Sequence, residues 1–306
     1  MNLRDLKYFI SVAELKHFGK AAEACFVSQP TLSTQIKKLE EELGVQLFER
    51  GMRTVLLTSA GEAVLVYARR ILLEVDELKS AAKREQDPYH EPLTLGILPT
   101  ITPYLLPVIM PKLSKALPEL KLVLHELQTH QCIEQLRLAK VDAILLAMPV
   151  AMSKLAGKIL FDEEFALLVN QTDPRVKHKN VAMTDIDPEA LLLLDEGHCL
   201  RDQALEACEL AAINHKNSFR GTSLETIAHM VGAGMGMTLV PSLAEPHFSQ
   251  LGLVAKSLQD APSRELALLW RVGFSRKNLL VSIAEIIRSS CAGIRGLHIS
   301  EEDYVE

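Results

Sequence analysis

The chain lacks any apolar run close to the ~20 residues that a membrane-spanning helix needs, so no membrane partner is expected. Its opening, Met1-Asn2-Leu3-Arg4-Asp5, has none of the character of a secretory leader, and a cytoplasmic location is the simplest expectation. It also lacks a disulfide framework: the five cysteines, Cys25, Cys132, Cys199, Cys208 and Cys291, are odd in number and widely scattered. There is no C-x-x-C pair, and His198, Cys199 and Cys208 together make only three ligands, so neither a metal nor another cofactor is expected. In a reducing compartment, a disulfide formed here would be transient and hence regulatory or catalytic. Finally, the chain lacks a positive charge balance. Its net charge of −6 argues by itself against a nucleic-acid partner.

What is there modifies that last exclusion. Lysine and arginine balance aspartate and glutamate over residues 1–87, so the acidity lies downstream and DNA binding has to be argued from local clustering. At 306 residues, 48 % of them hydrophobic and 24 % charged, the chain suits two or three folded domains. Leu3, Leu6, Phe9, Ile10 and Ala13 predict a helix over 3–15, and a short alanine-rich helix follows over 18–25. Ser28 is a good cap for a third helix with Pro30 in its first turn, an apolar face of Leu32, Ile36, Leu39 and Leu43, and Gly44 as its stop. Residues 46–58 alternate around Gly51 like a hairpin wing, which completes a winged helix-turn-helix.

A long helix is expected from Thr58/Ser59 to about residue 86. Val64, Ala68, Ile71, Val75, Leu78 and Ala82 recur at 4-3-4-3-4 spacing, a seam that suits a partner helix or this chain's own body. Residues 87–92, Asp-Pro-Tyr-His-Glu-Pro, read as a hinge. Beyond them strands and helices alternate: strands at 93–98, 120–127, 142–147, 165–170, 191–194 and 266–272, helices at 102–117, 131–139, 200–210, 222–232 and 279–291. The fold class is therefore α + α/β. The expected domains are a winged helix-turn-helix (1–58), a linker and dimerisation helix (59–86), a hinge (87–92), and a two-lobed α/β regulatory domain (93–306) whose second lobe covers about 163–265. Ligand sites in such architectures lie in the cleft.

Cys199 and Cys208 sit in Gly-His-Cys-Leu-Arg-Asp-Gln-Ala-Leu-Glu-Ala-Cys, with no glycine or proline from Leu200 onward. Nine positions on a helix span roughly 13 Å, whereas a disulfide needs Cα atoms about 4.4–6.8 Å apart. The two thiols cannot bridge while such a helix is intact. A bond that forms only by refolding its surroundings has the character of a switch.

Residues 18–23 (Phe-Gly-Lys-Ala-Ala-Glu), 27–33 (Val-Ser-Gln-Pro-Thr-Leu-Ser), 36–40, 43–50 and 57–61 closely resemble the amino-terminal domain of LysR-type transcriptional regulators. That resemblance implies double-stranded operator DNA as partner and a recognition helix entering the major groove by its amino end. Gln29, Pro30, Thr31, Ser33, Thr34 and Lys37 lie off its apolar face, and glutamine, serine and threonine can read base edges. Arg4, Lys38, Arg50 and Arg53 are candidates for phosphate contacts, which position without specifying. Each charge also suits a solvated face. Ser28 suits a plain cap as well as a DNA contact.

The rest of the chain is similar to the effector domain of the same family, which resembles periplasmic binding proteins. The 197–208 run, with Pro99-Thr100, residues 125–131 and residues 222–226, is similar to the family's hydrogen-peroxide-sensing branch. The resemblance implies Cys199 as the residue that peroxide oxidises and Cys208 as the thiol that resolves it. It implies Thr100, Thr129 and His198 as holders of the peroxide oxygens, with Arg264 nearby. His198, Arg201 and the helix amino end are each expected to lower the Cys199 pKa. The same resemblance implies a non-enzymatic activator of antioxidant genes, a homotetramer built as a dimer of dimers, contact with RNA polymerase, and reset by a disulfide reductant such as glutaredoxin or thioredoxin. Two other readings stay open: a regulator whose cleft binds a small metabolite, and a thiol peroxidase.

Overall fold

The computed structural model describes residues 1–49, 55–84, 91–187, 189–197, 199–210 and 220–299. The chain forms two compact units, Met1–Asp87 and Pro88–Glu306.

The first unit is helical. α1 (Leu3–Leu15), α2 (Phe18–Ala24) and α3 (Gln29–Leu43) are followed by the long α4 (Ser59–Arg84). Caps decide the boundaries. Asn2 and Asp5 form a capping box on α1. Ser28 Oγ accepts the Thr31 N–H at 3.3 Å to open α3, and Gly44, at φ 69°, closes it where a side chain would be strained. Thr58 Oγ1 accepts the Gly61 N–H at 2.9 Å to open α4. Leu6, Phe9, Val12, Ala22, Leu32, Ile36, Leu39 and Ala68 close over one core. Of the expected wing, the described residues retain one antiparallel bridge, Phe48 to Leu57.

The expected seam on α4 divides in two. Val64 and Ala68 pack into this unit's own core, whereas Ile71 and Leu78 stay exposed beside Tyr67. Among the described side chains of α4, those packed on the core lie between Val64 and Leu72. The Ala82 side chain lies outside the described part.

The second unit begins with β1 (Leu93–Ile97), α5 (Thr102–Ala116), β2 (Leu122–Glu126), α6 (Thr129–Arg137) and β3 (Ala143–Ala147). A 16-residue strand, β4 (Leu155–Asn170), comes next, then β5 (Leu193–Leu194), α7 (Cys199–Leu210), β6 (Arg220–Gly221) and α8 (Leu224–Gly232). β7 (Thr238–Pro241), α9 (Glu245–Gln250), β8 (Leu253–Ser257), β9 (Ser263–Arg271), α10 (Lys277–Cys291) and β10 (Leu297–His298) complete it. β1 runs parallel to β2 and β3, and β9 lies antiparallel between β3 and β4. The first ten residues of β4 pair with β9 and the remainder with β7 and β8. The chain thus leaves one α/β part along β4 and returns along β9.

The sequence reading placed a strand only over the second half of β4. The structure fuses it with the preceding stretch, because Ile159, Leu160 and Phe161 continue the buried face. Gly157 permits the pairing with β9: a Cβ there would stand 2.5 Å from the Leu268 carbonyl oxygen. The β4–β9 register sets Glu163 directly opposite Arg264.

Candidate functional site

Three helix starts supply the site in the second unit. Thr100 lies in the turn ahead of α5, Thr129 is the first residue of α6, and Cys199 is the first residue of α7. Unpaired N–H groups at such ends, together with the aligned peptide dipoles, favour negative charge. The starts of α6 and α7 are brought close by Gly197, at φ 91°, where a Cβ would meet Gln128 Oε1 at 2.7 Å. Only glycine serves at that position on both counts.

Arg264 is the cation of the site. Its side chain and that of Glu163 are both 0 % exposed and joined at 2.8 Å. Nη1 donates to Thr100 Oγ1 and Nη2 to the Thr100 carbonyl, each at 3.2 Å. Burial pushes the Cys199 thiol pKa up. The Arg264 charge, the Thr129 hydroxyl and the Leu200 N–H pull it down, and Asp202 pushes it up again. The net direction is upward. This corrects the lowered pKa expected from sequence, because a thiol inside the protein loses the water that would solvate its anion.

The sequence reading placed Arg201 at the thiol. The structure turns it to Glu196 at 3.4 Å, and among the described residues the positive charge that acts on Cys199 is that of Arg264. Thr129 Oγ1 is buried without a full hydrogen bond, and the group it leans toward is the Cys199 sulfur. Gln203 Oε1 is likewise buried and unpartnered. Gln203 lies four residues after Cys199 and so shares its face of α7. Cys132, three residues after Thr129 on α6, is fully buried. Its thiol is pushed up to about 12, chiefly by burial and further by the nearby Cys199. Cys208 lies on α7 with Cys199, its side chain outside the described part, and His198 lies outside the described residues.

Glu163 and Gln203 were missed from sequence. The spacing of Gln203 from Cys199 could have suggested the latter. Nothing local marks Glu163, whose role follows from strand register.

In the first unit, α3 presents Gln29, Pro30, Thr31, Thr34, Lys37 and Lys38 to solvent, with Ser33 half-buried. Ser28 serves as the cap and shares a 2.7 Å hydrogen bond with the Thr31 hydroxyl. The Thr34 hydroxyl donates back to the Pro30 carbonyl at 2.8 Å, and Lys37 pairs loosely with Glu41 at 3.7 Å. Gln29 has no such tie among the bonds described. Arg4 is exposed at the start of α1. Arg50 and Arg53 lie outside the described residues.

Both units match known families. The profile of the bacterial regulatory helix-turn-helix proteins of the lysR family matches residues 3–62, and that of the LysR substrate binding domain matches residues 86–292. The chain belongs to the LysR family. Among LysR-family relatives, the hydrogen peroxide-inducible genes activator of Dickeya chrysanthemi is 44 % identical over 290 residues, covering 94 % of this chain and 95 % of the relative. Full-length OxyR of Pseudomonas aeruginosa, carrying a cysteine-to-aspartate substitution, superposes with a TM-score of 0.77 at 35 % identity, covering 99 % and 98 % of the two chains. A hydrogen-peroxide-bound OxyR mutant of Corynebacterium glutamicum gives a TM-score of 0.64 at 33 % identity, over 94 % and 92 %. Among the described residues, no helix of this LysR-family chain is long and apolar enough to cross a membrane.

Proposed function

We propose that this LysR-family chain is a DNA-binding transcriptional regulator that senses hydrogen peroxide through Cys199. The observation that carries the reading is a half-buried thiol at a helix amino end, acted on by the fully buried Arg264 and by the Thr129 hydroxyl. The hydroxyl groups of H–O–O–H are donors, and Thr129 Oγ1 and Gln203 Oε1 are acceptors in want of them. Arg264 and Thr100 supply charge and a hydroxyl on the adjoining side.

The chemistry balances without any cofactor. The Cys199 thiolate attacks one peroxide oxygen, the O–O bond breaks, and hydroxide leaves with the electron pair, so that sulfur becomes a sulfenic acid. The Cys208 thiolate then attacks that sulfur and the hydroxyl departs, taking up a proton to form water. A dithiol reductant such as glutaredoxin or thioredoxin resets the pair. Because both cysteines lie on α7, the bond is bought with helix: the stretch between them has to unwind and repack. Two packings of one segment provide the bistable element of a switch.

The assembly is a homotetramer, a dimer of dimers. The exposed apolar face of α4 at Tyr67, Ile71 and Leu78 supports one helix-to-helix contact. The regulator works in the cytoplasm, contacts RNA polymerase and activates antioxidant genes. It is spent once per oxidation, and sustained peroxide turnover with a reductant would instead mark a thiol peroxidase.

The test is peptide mapping without reductant after one equivalent of hydrogen peroxide. A linked Cys199–Cys208 peptide is expected in the parent and absent in Cys199→Ser. Two free thiols after treatment would overturn the reading and revive a metabolite ligand.

A further inference from the structure

We propose that Glu163 is a positioning residue of the Cys199 centre: its carboxylate fixes the Arg264 guanidinium and sets how much of that positive charge the Cys199 sulfur feels. The inference rests on the reading of Cys199 as the reactive thiol.

All three nitrogens of the Arg264 head are engaged. Nε and Nη2 go to Glu163 Oε2 at 2.9 and 2.8 Å, and Nη1 and Nη2 go to the hydroxyl and carbonyl of Thr100. The other carboxylate oxygen, Oε1, accepts the Leu243 N–H at 2.9 Å. The acid is therefore held from the β7 side while it grips the arginine from across the β4–β9 ladder. A guanidinium with both edges engaged has one orientation. Buried ion pairs of this kind contribute little net stability over an apolar pair of the same shape. Their geometry is what they supply.

The electrostatic consequence has a sign. Glu163 neutralises Arg264 at contact distance, so the thiol faces an arginine already partly discharged. Loss of the carboxylate charge leaves the guanidinium's field on the sulfur less opposed and favours the thiolate. The other groups facing the sulfur are Thr129 and Cys132 from α6 and Asp202 and the Leu200 N–H from α7. Those facing Glu163, besides Arg264 and Leu243, are Glu245 and Cys291. None of these is altered in the variants below, nor is His198, adjacent to Cys199 in the chain. On this account Glu163 restrains the sensor, holding its threshold above what Arg264 alone would give.

The experiment is iodoacetamide labelling of Cys199 in the full-length reduced chain, followed by mass spectrometry across pH, for the parent, E163Q, R264Q and the double variant. Labelling needs no peroxide, so its outcome is separate from the sensing reading: a failed proposal leaves the peroxide mapping untouched. For E163Q the labelling midpoint falls by about half a pH unit, which is about threefold faster labelling near neutrality. In the R264Q background the buried Glu163 has lost its cation and takes up a proton, so the same substitution leaves the midpoint where R264Q put it. A midpoint that is unchanged or raised in E163Q overturns the proposal, as does an equal shift in both backgrounds. Should E163Q fail to fold, the double variant removes both charges together, and a midpoint differing from that of R264Q overturns it alone.

Discussion

Two helix amino ends carry the two halves of this regulator's work, and they are built in opposite ways. α3 begins at the surface. Its Ser28 cap meets the Thr31 N–H, and its polar side chains face water. α7 begins half-buried, after the exposed Glu196 and Gly197. Its first residue is the thiol itself, the Leu200 N–H favours the sulfur anion, and Gly197 lets the turn close on Gln128. The dipole of an exposed end is worth about 0.3–1 kcal/mol and is screened by salt, whereas a partly buried end reaches about 2 kcal/mol. On the proposed reading the α3 end attracts phosphate generally, and specificity is expected from side chains such as Gln29. The α7 end acts on a single atom, and its selectivity comes from the shape and polarity of the pocket.

That opposition fixes where substitutions hurt. Arg264→Met strands the fully buried Glu163 and is expected to cost about 3–5 kcal/mol of unfolding free energy; denaturant titration reads it. A loss under 1 kcal/mol would mean that water reaches the pair. Gln29→Ala, on the exposed end, is expected to leave stability unchanged and to weaken operator binding by about 1–3 kcal/mol. Affinity for random DNA, which comes from phosphate contacts, stays nearly constant. Equal losses on both DNAs would remove Gln29 from base reading.

The two ends also differ in how plainly the chain announces them. α1, α3 and the start of α4 were legible to within a residue or two, since Ser28, Gly44 and Thr58 are local signals and the apolar face has a helical period. Cys199, Thr100 and Thr129 were legible by resemblance. Arg264 was aligned only loosely, and Glu163 not at all, because their meeting depends on strand register between positions a hundred residues apart. The sequence also misdirected. Arg201 is close to Cys199 in the chain, yet it pairs with Glu196, which carries the opposite charge. A thiol with cationic neighbours reads as acidic until burial is known, and burial is a property of the fold. The long β4 was half hidden because its first part continues an apolar run with a glycine in it, which reads equally as a loop.

The central claim is that the Cys199–Cys208 bond cannot coexist with α7. Amide hydrogen exchange over residues 200–208, before and after one equivalent of peroxide, tests it most directly. The account predicts protected amides in the reduced chain and loss of that protection once the linked peptide has formed, with protection restored by a dithiol. A linked peptide formed while those amides stay protected would contradict it.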